Sequence, residues 1–166
     1  VIIYGLKTWD QVMNVDTSDA KVIEVYSEQF KWTARSSGDD NQLGSSNFRL
    51  VTDDNVLGID MEDERSFDDK LLREVHLVVG QPVVLKFRSR DVIHSAFLPH
   101  FRVQMNCVPG LITQFAFTPT KTTKQIRKEE GEDFDYILLC NKICGAAHYN
   151  MQMSFVVETQ EEYDAW

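Results

Sequence analysis

The chain has 166 residues, of which 43% are hydrophobic and 26% are charged, as expected for one globular domain that buries a core without disulfide staples. A formal net charge of −9 argues against nucleic acid or an anionic membrane surface as a partner and favours a basic protein. Three cysteines are too few for a disulfide framework, and no stretch reaches the roughly 20 apolar residues of a membrane span.

The amino terminus is an apolar run, Val1–Leu6, followed by polar sequence. It is similar to the last turns of a transmembrane helix, with Tyr4 and Trp9 at the aromatic belt of the bilayer. The alternative is the first strand of a soluble domain. We expect residues 1–20 to form the helix end and a linker, ahead of a domain that spans residues 21–166.

Short β-branched and aromatic runs separated by turn residues predict a series of strands. They fall at residues 21–26 (continued by 29–32), 49–52, 75–79, 82–88, 93–98, 112–118, 134–139 and 153–158. Thr159 and Glu162 have the spacing of a capping box and predict a short terminal helix. The pattern indicates an all-β domain, an antiparallel sandwich or Greek-key barrel.

Acidic clusters are concentrated in an insert at about residues 37–74. One interpretation is a solvated surface that keeps the protein soluble. The other is a docking face for a cationic electron-transfer partner.

The segment Cys140–Met151 contains two cysteines, His148 and Met151 within twelve residues. Soft sulfur ligands joined by an imidazole select copper, and a Cys/His set with a weak Met is typical of blue-copper sites. Such a mononuclear site needs one Cys, so Cys140 and Cys144 together favour a bridged pair of copper ions. Zinc is an alternative, although structural zinc sites prefer Cys-x2-Cys turns and leave Met151 without a role. A disulfide between the two cysteines would leave both His148 and Met151 unexplained.

A binuclear centre requires one more strong ligand from elsewhere in the chain. His94, at a strand end, is favoured over His100, which follows a proline and is expected in an exposed loop. His76 lies in an alternating strand and is interpreted as structural. Cys107 stands alone and is interpreted as a small buried hydrophobe.

The ordered series Asp91-Val-Ile-His94-Ser, Val108-Pro-Gly110 and Cys140-x3-Cys144-Gly-x2-His148-x2-Met151 resembles the binuclear-copper (CuA) domain of cytochrome c oxidase subunit II. The resemblance runs from about Val22 to Trp166. It implies a cupredoxin-like Greek-key sandwich that holds two copper ions bridged by the two cysteine sulfurs of the motif.

The resemblance also assigns the remaining ligands. His94 and His148 would each bind one copper, Met151 would be a weak ligand to one ion, and the backbone carbonyl of Lys142 a weak ligand to the other. The chain would then be the electron-entry subunit of a haem-copper terminal oxidase. It would take electrons from cytochrome c and pass them to a haem in subunit I, which reduces oxygen.

Several positions depart from the family pattern. Lys142 stands where a glutamate that also reaches a magnesium ion is common, and a cation cannot ligate magnesium, so that second site is doubtful here. Asn106 stands where an aspartate is frequent. In the aromatic segment Gln29–Trp32, Phe30 replaces the usual electron-accepting tryptophan, which leaves Phe30 and Trp32 as electron-entry candidates.

The family's two amino-terminal transmembrane helices are not in this sequence, and Val1–Leu6 fits the end of the second. The expected location is therefore the periplasmic side of a bacterial inner membrane. Two other functions remain open: the CuA domain of nitrous-oxide reductase, and a structural zinc-binding β-domain. Quinol oxidase subunits share the fold but lack the copper ligands.

Overall fold

Two five-stranded β-sheets packed face to face form the body of the computed structural model, which describes residues 1–14 and 17–166. The strands are β1 (Lys21–Glu28), β2 (Lys31–Ser36), β3 (Lys70–Leu72), β4 (Val75–Val78), β5 (Val83–Ser89), β6 (His94–Leu98), β7 (Val103–Cys107), β8 (Thr113–Phe117), β9 (Tyr136–Cys140) and β10 (Gln152–Glu158). The helices are α1 (Ile2–Met13), α2 (Thr123–Glu130) and α3 (Gln160–Ala165).

The first sheet has the strand order β3-β2-β1-β5-β8, and the second has the order β4-β10-β9-β6-β7. Apolar side chains from both inner faces form the core between them, including Val25 and Leu85 from the first sheet and Leu138 and Phe155 from the second. The predicted β-sandwich is therefore confirmed. Pairing is not antiparallel throughout, because β1 pairs with β5 and β10 pairs with β4 in parallel, across long connections.

The acidic insert covers the outer face of the first sheet. Leu57 and Ile59 of the insert pack on Tyr26, which points outward from β1. Burial along β1 is consequently almost continuous instead of alternating. The strand predicted at residues 49–52 is wrong: Phe48–Leu50 forms a single 3-10 turn, whose backbone is capped by the side chain of Asn47.

A buried arginine anchors this insert to the sheet. Arg35 on β2 lies opposite Glu24 on β1, and its guanidinium contacts the Glu24 carboxylate at 3.0 Å. The same guanidinium contacts Asp69 of the insert at 3.2 Å and donates a hydrogen bond to the Gly44 carbonyl at 3.1 Å. Glu24 is also paired with Arg88 of β5 at 2.8 Å. The insert is thus held to the outer face by charges that have little access to water.

The aromatic segment does not continue the first strand, so that prediction is wrong. The chain reverses at Gln29–Phe30, a two-residue turn between Glu28 and Lys31, and β2 runs back along β1. The turn lies at the same end of the sandwich as the loop after β5, because β1 and β5 are parallel. It is thereby placed next to Asp91 and the start of β6.

The amino-terminal segment forms helix α1, so the alternative of a first strand is wrong. None of the side chains of α1 is buried, and Ile3, Tyr4 and Trp9 are exposed. Among the described residues, no helix combines the length and the apolarity needed to cross a bilayer. The domain boundary between residues 20 and 21 remains a prediction. Residues 15 and 16 of the expected linker lie outside the described residues.

Candidate metal centre

Cys140 is the last residue of β9 and is fixed by the second sheet. It lies opposite Ala96 of β6, and its backbone N–H donates to the Met151 carbonyl at 3.2 Å. The next residue, Asn141, donates its N–H to the Ser95 carbonyl at 2.8 Å. Pairing within the second sheet therefore places the end of β9 beside the start of β6 and beside Met151, the residue that precedes β10.

His94 begins β6 and is completely buried. Its Nδ1 lies 3.8 Å from the Cys140 sulfur, and its Nε2 lies 2.9 Å from Oδ1 of Asp91. A carboxylate accepts hydrogen bonds, so we assign the proton to Nε2, which leaves the Nδ1 lone pair directed at the sulfur. This is the arrangement in which a carboxylate orients a metal-binding imidazole.

The Asp91 carboxylate also accepts a hydrogen bond from the Gln29 backbone N–H at 2.7 Å. Burial by itself raises the pKa of Asp91, but the hydrogen bonds from Gln29 and His94 outweigh it and hold the pKa below its ordinary value. The carboxylate is therefore ionised at neutral pH and remains an acceptor for the imidazole.

Cys144 lies in the loop between β9 and β10, and its side chain is buried. Its sulfur is 3.9 Å from that of Cys140, 3.6 Å from His148 Nδ1 and 3.9 Å from the Met151 sulfur. A 3-10 turn at His148–Asn150 brings His148 and the buried Met151 to the same side of the loop. Each cysteine sulfur therefore has its own imidazole.

These distances fit a metal site. The ligand atoms of His94, Cys140 and Cys144 all lie within 4.8 Å of one another. Two sulfurs 3.9 Å apart can both reach one ion at the roughly 2.3 Å of a zinc–thiolate bond. The carbonyl oxygen of Lys142 lies 3.2 Å from the Cys140 sulfur, so the backbone at this position also faces the cluster.

The two thiols are close enough to influence each other's protonation. Burial, together with the neighbouring Cys140, raises the pKa of Cys144 to about 11. Without metal, Cys144 is therefore a thiol at neutral pH. A metal ion binds the thiolate, so metal binding must release the proton of Cys144.

The other candidates from the sequence lie away from the cluster. His100 packs edge-on against Phe134 and Tyr136, with ring centroids 4.7 and 5.8 Å away. His76 stacks on Trp166 at 3.9 Å, and its Nδ1 is 2.6 Å from Glu158. Both histidines therefore have packing partners of their own.

Cys107 is fully buried on β7. Burial raises the pKa of its thiol to about 11. It lies across from His94 in the sheet but does not belong to the group of side chains that could hold a metal ion.

The two electron-entry candidates are both near the cluster. Trp32 is buried, donates its indole N–H to the Met151 carbonyl at 3.3 Å, and meets the His94 ring edge-on at 6.2 Å between centroids. Phe30 is half-buried, and its ring lies against Gly145 of the ligand loop. Trp32 thus supports two candidate ligands directly, while Phe30 lies between the loop and solvent.

A β-sandwich that gathers two thiols, two imidazoles and a thioether at one end is a cupredoxin-like domain with a soft-metal site. Residues 22–160 match the family described as cytochrome C oxidase subunit II, periplasmic domain. The chain belongs to this family.

Individual relatives agree with this assignment. The alternative cytochrome c oxidase subunit 2 of Bradyrhizobium diazoefficiens is 36% identical over 98% of the chain and 55% of its own length. Cytochrome c oxidase subunit 2 of Thermostichus vulcanus is 33% identical over 56% of the chain and 25% of its own length. The chain thus spans about half, or less, of the length of the curated relatives that it matches.

Among solved structures, the periplasmic domain of cytochrome oxidase subunit II (CoxB) of Bradyrhizobium japonicum has the same fold. The TM-score is 0.59 at 21% identity, covering 88% of this chain and 89% of that one. The predicted cupredoxin-like fold is thereby confirmed.

Proposed function

We propose that this domain holds a pair of copper ions and serves as the electron-entry site of a haem-copper terminal oxidase. The observation that carries the proposal is the pairing of ligands: two sulfurs 3.9 Å apart, with His94 beside one and His148 beside the other. His148 is not among the ligand atoms that all lie within 4.8 Å of one another, so the two imidazoles flank different sulfurs, and this separation favours a pair of ions over one four-coordinate ion.

The same geometry supports a proposed role for each ligand. Cys140 and Cys144 would bridge the ions, His94 and His148 would each bind one of them through Nδ1, and Met151 would be a weak ligand from the buried side. The carbonyl of Lys142 would be a weak ligand from the loop. When bound, the copper pair would accept and release one electron at a time.

The protein's own contribution is to keep these ligands in place during the redox cycle. Cys140 and His94 belong to paired strands, and Asp91 fixes the His94 ring by a hydrogen bond of 2.9 Å. Trp32 packs behind the centre and holds the Met151 backbone. Ligands fixed in this way need little rearrangement when the charge of the centre changes.

Membership of the family supports a proposal for the partners and the location. The domain would receive electrons from cytochrome c or a cytochrome c domain and pass them to haem in subunit I, on the periplasmic side of a bacterial inner membrane. Exposed apolar side chains on α1, including Ile2, Ile3 and Leu6, support anchoring of this end at the membrane. We propose Phe30 and Trp32 as the residues through which electrons enter.

The decisive experiment is copper analysis together with electron paramagnetic resonance of the reconstituted domain. We expect two copper ions per chain, a purple colour, and a hyperfine pattern in which one unpaired electron is shared by both copper nuclei. A colourless protein with one tightly bound zinc would contradict the proposal and favour a structural zinc domain.

A second test concerns Lys142, whose side chain is exposed while its carbonyl faces Cys140. Lys142→Glu should leave the copper content unchanged, because only the backbone is a ligand. Replacing a cation by an anion favours the more positive oxidised state, so the reduction potential should fall by about 10–40 mV, the range for an exposed, screened charge.

The control for this test is the same charge change at Lys128, an exposed residue of α2. The first turn of this helix packs beside Val157, at the end of β10 remote from Met151. An unshifted or more positive potential in Lys142→Glu, or an equal shift in Lys128→Glu, would contradict the electrostatic explanation. We further propose that Lys142 contributes no magnesium contact, since an ammonium group has no lone pair.

A further inference from the structure

The two cysteines of the centre are held in different ways. Cys140 is a strand residue, and the sheet fixes its backbone on both sides. Cys144 follows a stretch, Asn141–Ile143, that is exposed and belongs to no strand. Its sulfur must nevertheless stay at a constant distance from the Cys140 sulfur if both are to bridge the same ions. Something other than the β-ladder must therefore fix its position.

One contact to the Cys144 backbone comes from the opposite sheet. The side-chain amide of Gln29 donates a hydrogen bond from Nε2 to the carbonyl oxygen of Cys144. Among the described residues, this amide is the hydrogen-bond partner that the structure gives to that carbonyl. The bond joins the turn between β1 and β2 to the ligand loop between β9 and β10, across 115 residues of chain.

The turn and the loop are in close contact around this bond. Gly145 has a φ of +146°, and a Cβ there would lie 2.7 Å from Gln29 Nε2 and 2.7 Å from the Phe30 ring. A side chain at position 145 would therefore push the turn away from the loop. The glycine allows the Gln29 amide to approach the backbone next to Cys144.

The backbone of Gln29 is also held in place by hydrogen bonding. Its backbone N–H donates to Asp91 Oδ2 at 2.7 Å, while Oδ1 of the same carboxylate accepts from His94. The preceding residue, Glu28, is paired with Lys31 at 2.9 Å and with Arg90 at 2.8 Å. One residue thus contacts the loop that carries Cys144 and, through Asp91, the imidazole beside Cys140.

We propose that Gln29 is a positioning residue of the metal centre, which fixes the Cys144 backbone by its side-chain amide and so sets the separation of the two sulfurs. The role of Gln29 in a copper-loaded centre rests on the proposed function. Its role in holding the loop does not, because it can be measured on the thiols of the metal-free chain.

The first experiment measures thiol accessibility in the metal-free, reduced 166-residue chain. Maleimide labelling, followed by mass spectrometry of peptides, gives separate rates for Cys140 and Cys144. In Gln29→Ala we expect labelling of Cys144 relative to Cys140 to rise by about 2- to 10-fold, the range for the loss of one net hydrogen bond. Gln29→Glu should give the same rise, because an ionised carboxylate of the same length cannot donate.

Gln42→Ala is the matched control, since Gln42 is an exposed glutamine outside the site, and it should leave the ratio unchanged. A ratio that stays unchanged in both Gln29 variants would overturn the proposal. An equal rise at both cysteines with a lowered melting temperature would also overturn it, because that result indicates general loosening of the fold. The second variant keeps the test valid if Gln29→Ala fails to fold.

The second experiment uses the copper-loaded chain. In Gln29→Ala the two copper nuclei should become less equivalent in the hyperfine pattern, and Gln29→Glu should show the same change. An unaltered pattern and potential in both variants would contradict a role in positioning. If the parent chain binds zinc instead of paired copper, the proposed function fails, whereas the labelling ratio still decides whether Gln29 holds the loop.

Discussion

Cys140→Ser is expected to abolish the dicopper centre while leaving the fold intact. A serine hydroxyl is a hard, protonated group at neutral pH and cannot replace a bridging thiolate. Copper should fall from two ions per chain to at most one, and the signal of an electron shared by two nuclei should disappear. The affinity for the second ion should drop by more than about 100-fold, since losing an outer-shell partner alone can have that effect. Copper stoichiometry and electron paramagnetic resonance measure both changes.

Cys107→Ala is the control for this substitution. Cys107 is fully buried, its thiol stays protonated because burial raises its pKa to about 11, and it lies outside the candidate ligand group. The control should retain both copper ions and the parent spectrum. An unchanged spectrum in Cys140→Ser would remove Cys140 from the ligand set. Loss of the signal in both variants would indicate that the site responds to general damage.

The candidate ligands could be predicted from sequence because most of them are close together in the chain. Two cysteines, a histidine and a methionine within Cys140–Met151 define the chemistry, and the end of β9 positions the first of them. His94 was the weaker prediction, since only the antiparallel pairing of β6 with β9 brings it to Cys140. The sandwich was predictable for the same local reason: strand residues are enriched in β-branched and aromatic types.

What the sequence could not indicate depends on long-range contacts. The Gln29 amide meets the Cys144 carbonyl because the first hairpin turn packs across the sandwich, and no local pattern predicts a contact between turns of different sheets. The prediction that residues 29–32 continue β1 was wrong because Gln29 and Phe30 lack the Gly and Asn signals of a two-residue hairpin. The contact between Asp91 and His94 differs, because it is local: the two residues are three positions apart in the chain.

Three other elements, β3, β7 and α2, were not predicted either. The short strands β3 and β7 are edge strands, and β3 consists of three residues, too few to show alternation. Helix α2 had a readable signal, since Thr122 and Gln125 form a capping box of the same kind as Thr159 and Glu162. The sequence of α2 is mostly polar, so it lacked the apolar periodicity on which a helix prediction depends.

Arg35→Ala is expected to destabilise the fold strongly. The Arg35 side chain is 2% exposed, and its carboxylate partners, Glu24 and Asp69, are 4% and 2% exposed. Removing the guanidinium leaves two buried carboxylates, one of which retains Arg88 as a partner. Breaking a buried ion pair in this way lowers the free energy of unfolding by roughly 3–5 kcal/mol, a large part of a typical domain's stability. Denaturant titration of the metal-free chain measures the loss.

Lys124→Ala is the matched control, because it breaks an ion pair with Glu162 in which the lysine side chain is 74% exposed. Water screens such a surface pair and its contribution to stability is small, so the control should unfold almost as the parent does. A loss in Arg35→Ala no larger than in the control would show that the buried pairs contribute little. In that case the insert would be held mainly by the apolar contacts of Leu57 and Ile59 with Tyr26.

The pH dependence of the stability of Arg35→Ala shows whether the variant is destabilised by an unpaired buried charge or by a loss of packing. Burial raises the pKa of Asp69 in the folded chain, and Arg35 opposes that rise, so the arginine's removal should raise it further. An acid with a raised folded-state pKa destabilises the fold above that pKa, and the penalty disappears as the pH falls through it. The free energy of unfolding of Arg35→Ala should therefore come closer to that of the parent as the pH falls from neutral to acidic. A deficit that does not change with pH would mean that Arg35 stabilises the insert by packing alone.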